Sequence, residues 1–349
     1  VRDILTGRAV DDWDFTTNAT PPEILKIFPD GFYDNQFGTV GISYPDSPNP
    51  YEITTFRREI GYTDSRHPDK IEWGTKLEED LARRDFTINA MALRLSTGEL
   101  RIAPLDRTRG RQGKPLKDKE EVELIDPFAG QKDLEARIIR AVGDPNERFS
   151  EHALRMMRAV RIATELAFTI DPETFEAIKE NSAQIEKVSK ERVSEELFKI
   201  LSSDFAYEGI VILRNSSLLE RIIPEFERCF GVEQKSPQRH HLWDVGTHSL
   251  LSLKYCKSRD PITRLGTLLH DIGKAPTFKK NPKTGIITFY NHEVVGAFLV
   301  SKISQRLKFS KKQKEKLVTL VRWHQFTVDE RQTDSAIRRF IRNAGRENL

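Results

Sequence analysis

The feature that most constrains this chain is a change of hydrophobic pattern partway along it. Before about residue 95, segments 12–16, 37–44 and 52–57 are short, rich in β-branched and aromatic residues, and bounded by Pro, Gly, Asn and Asp, as strands are. After residue 131, apolar residues recur at the three- and four-residue spacing of amphipathic helices. The sequence therefore predicts a small α/β unit followed by an all-helical body.

Cap and turn residues predict where the individual helices and loops begin and end. Thr20, followed by two prolines, predicts the start of a helix that runs to Phe28 within the α/β unit. Polar segments broken by Gly and Pro at 44–50 and 108–122 predict surface loops. The helices of the body are predicted at 134–142, 150–166 with Ser150 as N-cap, 172–181, 190–201, 242–256, 262–269, 292–307, 311–324 and 335–341.

Composition excludes several classes of protein. The 349 residues suffice for two or three domains, and the charges nearly cancel, with 56 Lys and Arg against 53 Asp and Glu. Cys229 and Cys256 are too few for a disulfide scaffold and fit a reducing cytoplasm, and no apolar run approaches the roughly 20 residues of a membrane helix. Basic residues outnumber acidic ones in segment 302–346, which predicts contact with RNA phosphates there.

Two carboxylates in the α/β unit carry the first chemical signal. Asp12 and Asp14 alternate along a predicted strand, so their side chains share one face, with Trp13 on the other. Adjacent carboxylates repel each other unless a cation lies between them, and Mg²⁺ held there could activate a hydroxyl and neutralise a triphosphate. An isolated Asp-x-Asp pattern is more often an ordinary surface feature, so the neighbouring residues must show whether this one is a metal site.

Those surroundings contain groups suited to a nucleotide. Arg2 precedes the strand, and Arg84 and Asp85 follow it in an Arg-Arg-Asp segment beside an apolar run. The guanidinium fork fits phosphate oxygens, and a carboxylate can accept a hydrogen bond from a ribose hydroxyl. Taken alone, Arg84 fits a solvated charge at a helix end equally well.

A basic stripe opens the helical body. Arg155, Arg158 and Arg161 recur every third residue beside an apolar face, shortly after His152. At that spacing, successive side chains drift by only about 60° around a helix, so the three guanidinium groups lie along one side. Taken alone, the stripe favours a solvated basic face, with a core behind it, over a nucleotide-binding face.

Histidines are concentrated near the end of the chain, where six of the eight lie between residues 240 and 324. Imidazole together with carboxylate suits Mn, Fe, Ni, Co or Zn. We assign ordinary structural roles to His67, His240 and His241. The others lie at His248, at His270 before Asp271, at His292 before Glu293, and at His324.

Several long motifs resemble one family. These segments are VRDILTGR, DWDFTTNATP, EITTFR, EDLARRDFTINAMA, DPFAGQKDLEARIIRAVGDP and RFSEHALRMMRAVR. In this order, over about residues 1–200, they resemble the class II tRNA nucleotidyltransferases, which are the CCA-adding enzymes, and the related bacterial poly(A) polymerases. The family pattern has a Gly-Gly pair just before Arg2, so we expect the true N-terminus to lie upstream of Val1. The histidine pattern resembles the HD superfamily. This resemblance implies a divalent-metal site at His248, His270 and Asp271, which His292 and His324 could extend. Such sites close with an aspartate from a later helix. Asp329 and Asp334 are candidates, and we expect the HD domain to be cut short.

The resemblance implies an α+β fold with three domains. A small α/β nucleotidyltransferase head of the polymerase-β type would cover 1–149, an elongated all-helical neck and RNA-binding body 150–228, and a helical HD domain 229–349. It implies that Asp12 and Asp14 hold catalytic Mg²⁺, with Glu52 as a weaker candidate for a third acidic group. Nucleotide-binding roles would fall to Arg2, Arg84, Asp85, His152, Arg155, Arg158 and Arg161.

One of these positions departs from the family. His152 stands where the family has an aspartate that helps to select C and A, and a neutral imidazole can accept one bond but cannot pair with Arg155. Glu151 is an alternative source of the carboxylate.

The activity implied is addition or repair of the 3′-terminal CCA of tRNA without a template, from CTP and ATP, in the cytoplasm and away from membranes. Two alternatives stay open within the fold: a poly(A) polymerase, or a partial enzyme that adds only CC or only A. A third, from another class, is an HD metal phosphohydrolase whose head only binds RNA. A noncatalytic RNA-binding protein is disfavoured by the intact Asp12, Asp14, Arg84 and Asp85.

Overall fold

The computed structural model describes residues 1–10, 13–34, 38–43, 50–60, 70–95, 122–235, 242–326 and 332–345. They belong to two compact units, Val1–Glu151 and His152–Leu349. Nearly all of the loops predicted at 44–50 and 108–122 lies outside the described residues. No helix in the described part of the chain is long and apolar enough to cross a membrane.

The first unit mixes short helices and strands, as the sequence predicts. Its helices are α1 (Arg2–Leu5), α2 (Pro21–Ile27), α3 (Leu77–Ala82), α4 (Gly130–Ala136) and α5 (Pro145–Glu151). Its strands are β1 (Asp14–Thr17), β2 (Phe32–Asp34), β3 (Thr39–Ile42), β4 (Tyr51–Thr55), β5 (Arg57–Ile60), β6 (Lys70–Trp73), β7 (Ala92–Leu95), β8 (Val122–Ile125) and β9 (Ile138–Ile139).

A four-stranded sheet in the order β1-β4-β3-β2 organises this unit. Strand β1 runs parallel to β4, and β3 is antiparallel to both of its neighbours. Because side chains alternate between faces, the register places Asp14 and Glu52 side by side on one face. The next row, on the opposite face, includes Val40, which is fully buried where α2 lies against β3.

Helix α2 begins as its cap residues predict. The Glu23 carboxylate accepts hydrogen bonds from the Thr20 backbone N–H at 2.8 Å and from its hydroxyl at 2.7 Å, closing a capping box. The Thr20 backbone bond and then its hydroxyl lower the pKa of Glu23. This local geometry confirms the predicted helix start at Thr20.

The second unit is almost entirely helical. Its first six helices are α6 (Leu154–Leu166), α7 (Pro172–Asn181), α8 (Lys190–Ser202), α9 (Ala206–Asn215), α10 (Leu218–Ile222) and α11 (Pro224–Glu227). Its later helices are α12 (Val245–Lys254), α13 (Pro261–Leu269), α14 (Lys274–Thr277), α15 (His292–Arg306), α16 (Lys311–Trp323) and α17 (Asp334–Ala344). Three two-residue strands are interspersed: β10 (Thr169–Ile170), β11 (Lys279–Lys280) and β12 (Ile287–Thr288).

A buried arginine joins the early and late helices of the second unit. Arg264 on α13 donates to the carbonyl of Leu201 at 2.6 Å and to that of Ser203, both at the end of α8. Its Nε donates to the Ser258 carbonyl at 2.5 Å. Because these backbone carbonyls accept from the buried guanidinium, hydrogen bonds fix α13 against α8.

Two predicted helices differ from those observed. The helix predicted at 150–166 is interrupted, because α5 ends at Glu151 and α6 starts at Leu154, so Ser150 lies in the last turn of α5 and is not an N-cap. The helix predicted at 134–142 ends at Ala136, because Arg137 takes a left-handed conformation with φ 58° and a strand follows. Apolar spacing alone does not reveal either interruption.

Candidate nucleotide site and candidate metal centre

The acidic part of the head site lies on the open face of the sheet. Asp14 on β1 and Glu52 on β4 are direct neighbours across the parallel pair, and both side chains are exposed. Asp12 lies outside the described residues. Carboxylate oxygens open to water suit Mg²⁺, which keeps several water ligands. The donor set therefore fits a magnesium ion, with Glu52 placed beside Asp14 as a third acidic group would be.

Three of the predicted nucleotide-binding residues meet at one asparagine. Arg2 Nη1 donates to Asn89 Oδ1 at 3.0 Å, and Asn89 Nδ2 donates to Asp85 Oδ1 at 3.0 Å. Arg84 Nη1 lies 3.3 Å from the backbone carbonyl of Asn89, to which it donates. The structure thus brings Arg2, Arg84 and Asp85 together, and it adds Asn89, which sequence reasoning did not single out.

The two adjacent arginines of the Arg-Arg-Asp segment differ in their surroundings. Asp80, almost fully buried on α3, accepts from Arg83 at 2.6 Å, whereas its contact with Arg84 is longer, at 3.6 Å. Arg83 is therefore held by a buried carboxylate. Arg84 reaches toward Asn89 and the Arg2–Asp85 network instead.

In the second unit, α6 presents its arginines along one face. Arg155, Arg158 and Arg161 are half-buried at the predicted three-residue spacing, while the residues between them are buried. Arg161 Nε lies 2.8 Å from Glu196 on α8, and its Nη1 is 3.4 Å from Glu165. Arg161 therefore also has a structural role between α6 and α8.

His152 stands just before α6, between two donors. Its Nδ1 accepts from the Leu154 backbone N–H at 3.2 Å, and its Nε2 is 2.9 Å from Arg192 Nη1. Burial, and then the charges of Arg192 and Arg155, lower the pKa of His152 to about 4, so the ring is neutral at pH 7.

This pair of neighbours conflicts with the chemistry of imidazole. A neutral ring has only one nitrogen that can accept, while both of its neighbours can only donate. A carboxylate would accept from both. Glu151 pairs with Arg148 at 2.6 Å within the first unit, and it stays an alternative source of that carboxylate.

The five predicted metal ligands form one cluster in the second unit. They come from α12, the end of α13, the start of α15 and the end of α16. Asp271 stands at the centre with its side chain only 3% exposed. Its Oδ2 lies 3.0 Å from His270 Nε2 and 3.7 Å from His248 Nε2, and its Oδ1 lies 3.4 Å from His292 Nε2 and 3.5 Å from His324 Nε2. Two overlapping ligand groups share Asp271.

Backbone carbonyls orient three of these rings. Nδ1 of His270, His292 and His324 each lies 2.8 Å from the carbonyl three residues earlier. A carbonyl can only accept, so each Nδ1 carries the proton, and a neutral ring then turns a bare Nε2 lone pair toward the carboxylate. Nε2 of the buried His292 makes no hydrogen bond with any described residue.

Lone pairs that face a buried carboxylate repel it, so the cluster around Asp271 requires positive charge nearby. Burial alone would raise the pKa of Asp271, but its contacts with the imidazoles of His270, His292 and His324 hold that pKa far below its ordinary value. Protons on the imidazoles could supply the charge, and so could a metal ion bound by the Nε2 atoms and the carboxylate. The donor set and the second-shell carbonyls fit a transition metal.

Lys274 and Gln234 lie beside this cluster. Lys274 Nζ donates to Asp271 Oδ2 and to the buried Gln234 Oε1, both at 2.7 Å. Asp334 is exposed, pairs with Arg338 at 3.6 Å and belongs to neither ligand group found among the described residues. Asp329, His67, His240 and His241 lie outside the described residues.

Three residues at these sites were not predicted from the sequence. They differ in how visible they are in the local sequence pattern. Asn89 lies within the same motif as Arg84, and Lys274 follows Asp271 by three residues, so both were visible locally. Arg192 lies 40 residues from His152 and has no local signal.

Three family models match the chain in sequence order. The poly A polymerase head domain matches residues 1–140, the probable RNA and SrmB-binding site of polymerase A matches 167–230, and the HD domain matches 240–344. These matches confirm the predicted order of a nucleotidyltransferase head, an RNA-binding body and an HD domain.

Individual relatives agree with the family models. A CCA-adding enzyme of Levilactobacillus brevis is 35% identical over 311 residues, which are 88% of this chain and 67% of the relative. One of Lactobacillus helveticus is 40% identical over 239 residues, 68% of this chain and 53% of the relative. The chain thus spans between about half and two thirds of these relatives' length.

A solved structure has the same fold. The crystal structure of Bacillus stearothermophilus CCA-adding enzyme in complex with CTP matches with a TM-score of 0.53 and 25% identity. The match covers 98% of this chain and 76% of that one. It confirms the predicted α+β fold class.

Proposed function

The chain belongs to the family of the CCA-adding enzymes, and on that premise we propose that it adds or repairs the 3′-terminal CCA of tRNA, using CTP and ATP and releasing pyrophosphate. The observation that carries the proposal is the 35% identity with a CCA-adding enzyme over 88% of the chain. A tRNA substrate and two free cysteines fit a cytoplasmic protein.

The proposed reaction joins an RNA 3′-hydroxyl to the α-phosphate of a nucleoside triphosphate. The bond from that phosphorus to the bridging oxygen breaks, and pyrophosphate leaves. Arg2 and Arg84 would bind the triphosphate, because guanidinium groups match phosphate oxygens, and Asp85 would accept from the ribose. Asp12 and Asp14, with Glu52 beside Asp14, would hold Mg²⁺, which supplies charge neutralisation and hydroxyl activation.

Base selection would fall to the start of α6. Cytosine and adenine both present an amine donor beside a ring-nitrogen acceptor, so one acceptor and one Arg donor suit both. We assign the donor to Arg155 and the acceptor to His152, with Arg158 and Arg161 as further nucleotide contacts. Because Arg192 already faces one nitrogen of His152, the acceptor is weaker than a carboxylate would be.

The imidazole–carboxylate cluster supports a second activity. We assign it to metal-dependent hydrolysis of a phosphate ester, such as a 2′,3′-cyclic phosphate or a phosphate monoester. His248, His270, Asp271, His292 and His324 would hold the metal, which would supply Lewis-acid activation of water. Lys274, which reaches Asp271, would add positive charge for a phosphate substrate.

One experiment tests the first proposal against its alternatives. The protein is given tRNAs that lack one, two or three 3′-terminal nucleotides, each nucleoside triphosphate is offered separately and together, and the products are sequenced. We expect C addition to the shorter tRNAs, A addition only after CC, and a stop at CCA. A growing A tail would favour a poly(A) polymerase, and incomplete ends would favour a partial enzyme. No addition to any substrate would leave only the phosphohydrolase.

A further inference from the structure

We propose that Asn89 is a positioning residue of the nucleotide site, whose side-chain amide fixes the separation between Arg2 and Asp85. The inference rests on the proposed nucleotidyl transfer, in which Arg2 binds the triphosphate and Asp85 the ribose. It assigns to Asn89 the task of holding these two groups in place before the nucleotide arrives.

The geometry places Asn89 between opposite charges. Its Oδ1 accepts from the Arg2 guanidinium and its Nδ2 donates to the Asp85 carboxylate, each at 3.0 Å. The opposite orientation of the amide would set its donor against the cation and its acceptor against the anion, so the network permits only one. A neutral side chain thereby bridges a cation and an anion.

The backbone of Asn89 adds a third connection. Its carbonyl accepts from Arg84 Nη1 at 3.3 Å, and its N–H donates to the Phe86 carbonyl at 2.9 Å within the 3₁₀ turn Thr87–Asn89. Asp85 Oδ1 also accepts from the Phe86 N–H at 2.9 Å. The Phe86 N–H and the Asn89 amide therefore both hold the same carboxylate oxygen, Asp85 Oδ1.

The bridge has a chemical consequence for ligand binding. Without it, Arg2 and Asp85 would attract each other directly, and an ion pair between them would withdraw both from phosphate and ribose. An amide keeps the two groups oriented without neutralising either of them, while Arg2 also pairs with the adjacent Asp3 at 3.1 Å. An aspartate at position 89 could accept from Arg2 but would repel Asp85.

The test uses Asn89→Ala and Asn89→Asp in the full chain, with Asn181→Ala as a matched control. The Asn181 amide donates to the carbonyl of Ala177 in its own helix, in the other unit. The measurements are kcat and KM for CTP and dCTP on a tRNA lacking its terminal nucleotides, direct CTP binding by equilibrium dialysis, tRNA affinity and the melting temperature.

We expect KM for CTP to rise by about tenfold to a hundredfold in Asn89→Ala, as for the loss of a hydrogen bond to a charged group, and further in Asn89→Asp. The preference for CTP over dCTP should fall, because Asp85 is no longer held toward the ribose. Affinity for tRNA should not change, and Asn181→Ala should match the unmodified protein.

A purely structural role would lower the melting temperature of both variants yet leave the CTP affinity and the CTP-over-dCTP preference of the folded protein within twofold. That result would overturn the inference. If the unmodified protein binds CTP but adds no nucleotide, the proposed reaction fails, and the dialysis arm still decides the role of Asn89. A protein that neither adds nor binds CTP overturns both.

Discussion

The two candidate sites are built in opposite ways. The nucleotide site of the head is open, and most of its described residues come from one short segment, 84–89, with Arg2 and the sheet residues Asp14 and Glu52. The metal centre is largely buried and draws its ligands from four helices between residues 248 and 324. Under the proposed function, a tRNA end and a nucleotide must enter and leave the head site, whereas a metal ion can stay enclosed in the second site.

Their electrostatics differ for the same reason. In the head, the neutral Asn89 amide lies between the Arg2 guanidinium and the Asp85 carboxylate, and Arg2 also pairs with Asp3. In the metal centre, four imidazoles and the Lys274 ammonium face one buried carboxylate. The head site therefore presents both signs of charge, whereas the metal centre surrounds a single buried anion.

The largest expected effect concerns the head carboxylates. Asp12→Ala or Asp14→Ala should reduce nucleotide addition by about a thousandfold or more, because a metal ligand contributes several kcal/mol to transition-state stabilisation. Because Asp14 is exposed, its loss should leave the melting temperature and tRNA binding nearly unchanged. Single-turnover addition to tRNA lacking CCA measures the effect, with Glu52→Ala measured in parallel. Near-full activity of Asp14→Ala would refute the metal assignment.

The second prediction separates the two sites. His270→Ala combined with Asp271→Ala should abolish metal binding in the second unit and any phosphatase activity, while nucleotide addition continues at its normal rate. Metal stoichiometry after dialysis against Mn²⁺, Ni²⁺ or Zn²⁺ is the check. Asp334→Ala, which removes an exposed carboxylate outside both ligand groups, serves as the control. Equal metal content in the unmodified and doubly substituted proteins would contradict the ligand assignment.

The third prediction concerns the base-selecting position. His152→Asp supplies an acceptor to both the Leu154 N–H and Arg192, where imidazole can serve only one. The substitution should raise CTP and ATP use and sharpen discrimination against UTP and GTP, by on the order of 1–3 kcal/mol per base contact. The measurement is kcat/KM for all four triphosphates. An unmodified protein that is already strictly specific for C and A, and unaffected by the change, would show that position 152 does not select the base.

The fourth prediction is a pH dependence of stability. The pKa of His152 is lowered to about 4 in the folded chain, so folding favours the neutral ring, and stability is full above the unfolded value near 6.5. It should fall by about 1–2 kcal/mol as the pH drops from 6.5 to 4, after allowance for the partial exposure of the ring. Urea unfolding across this range tests it. His152→Asp should remove this loss, and an identical pH profile would contradict the assignment.

The smallest expected effect concerns the basic segment 302–346. Glu replacing Lys311, Lys312 and Lys314 on α16 should weaken tRNA binding by about tenfold and flatten its salt dependence, because phosphate contacts release counterions. The matched control replaces Lys279, Lys280 and Lys283, which are exposed outside that segment. Binding titrations at several salt concentrations give both quantities. An unchanged slope would mean that α16 presents only a solvated face.

Much of this architecture follows from local pattern. The change from strand-like to helical spacing predicts the secondary structure of both units. Thr20, with the two prolines after it, predicts the start of α2. The motif around Arg84 and Asp85 and the pairing of His270 with Asp271 identify both sites because their key residues are adjacent in sequence. Segment 150–166 could not be predicted correctly, since the apolar spacing continues across the break at His152, where the ring accepts from the Leu154 N–H.

Residue identity and spacing determine which chemical groups this chain carries and the order of its segments, because alternation along strands and periodicity along helices are local properties of the backbone. Only the tertiary structure places Asn89 between Arg2 and Asp85, sets Arg192 against His152 and gathers histidines from four helices around Asp271. These contacts join residues up to 87 positions apart, as in the case of Arg2 and Asn89. Their distances depend on packing between elements, which no local pattern encodes.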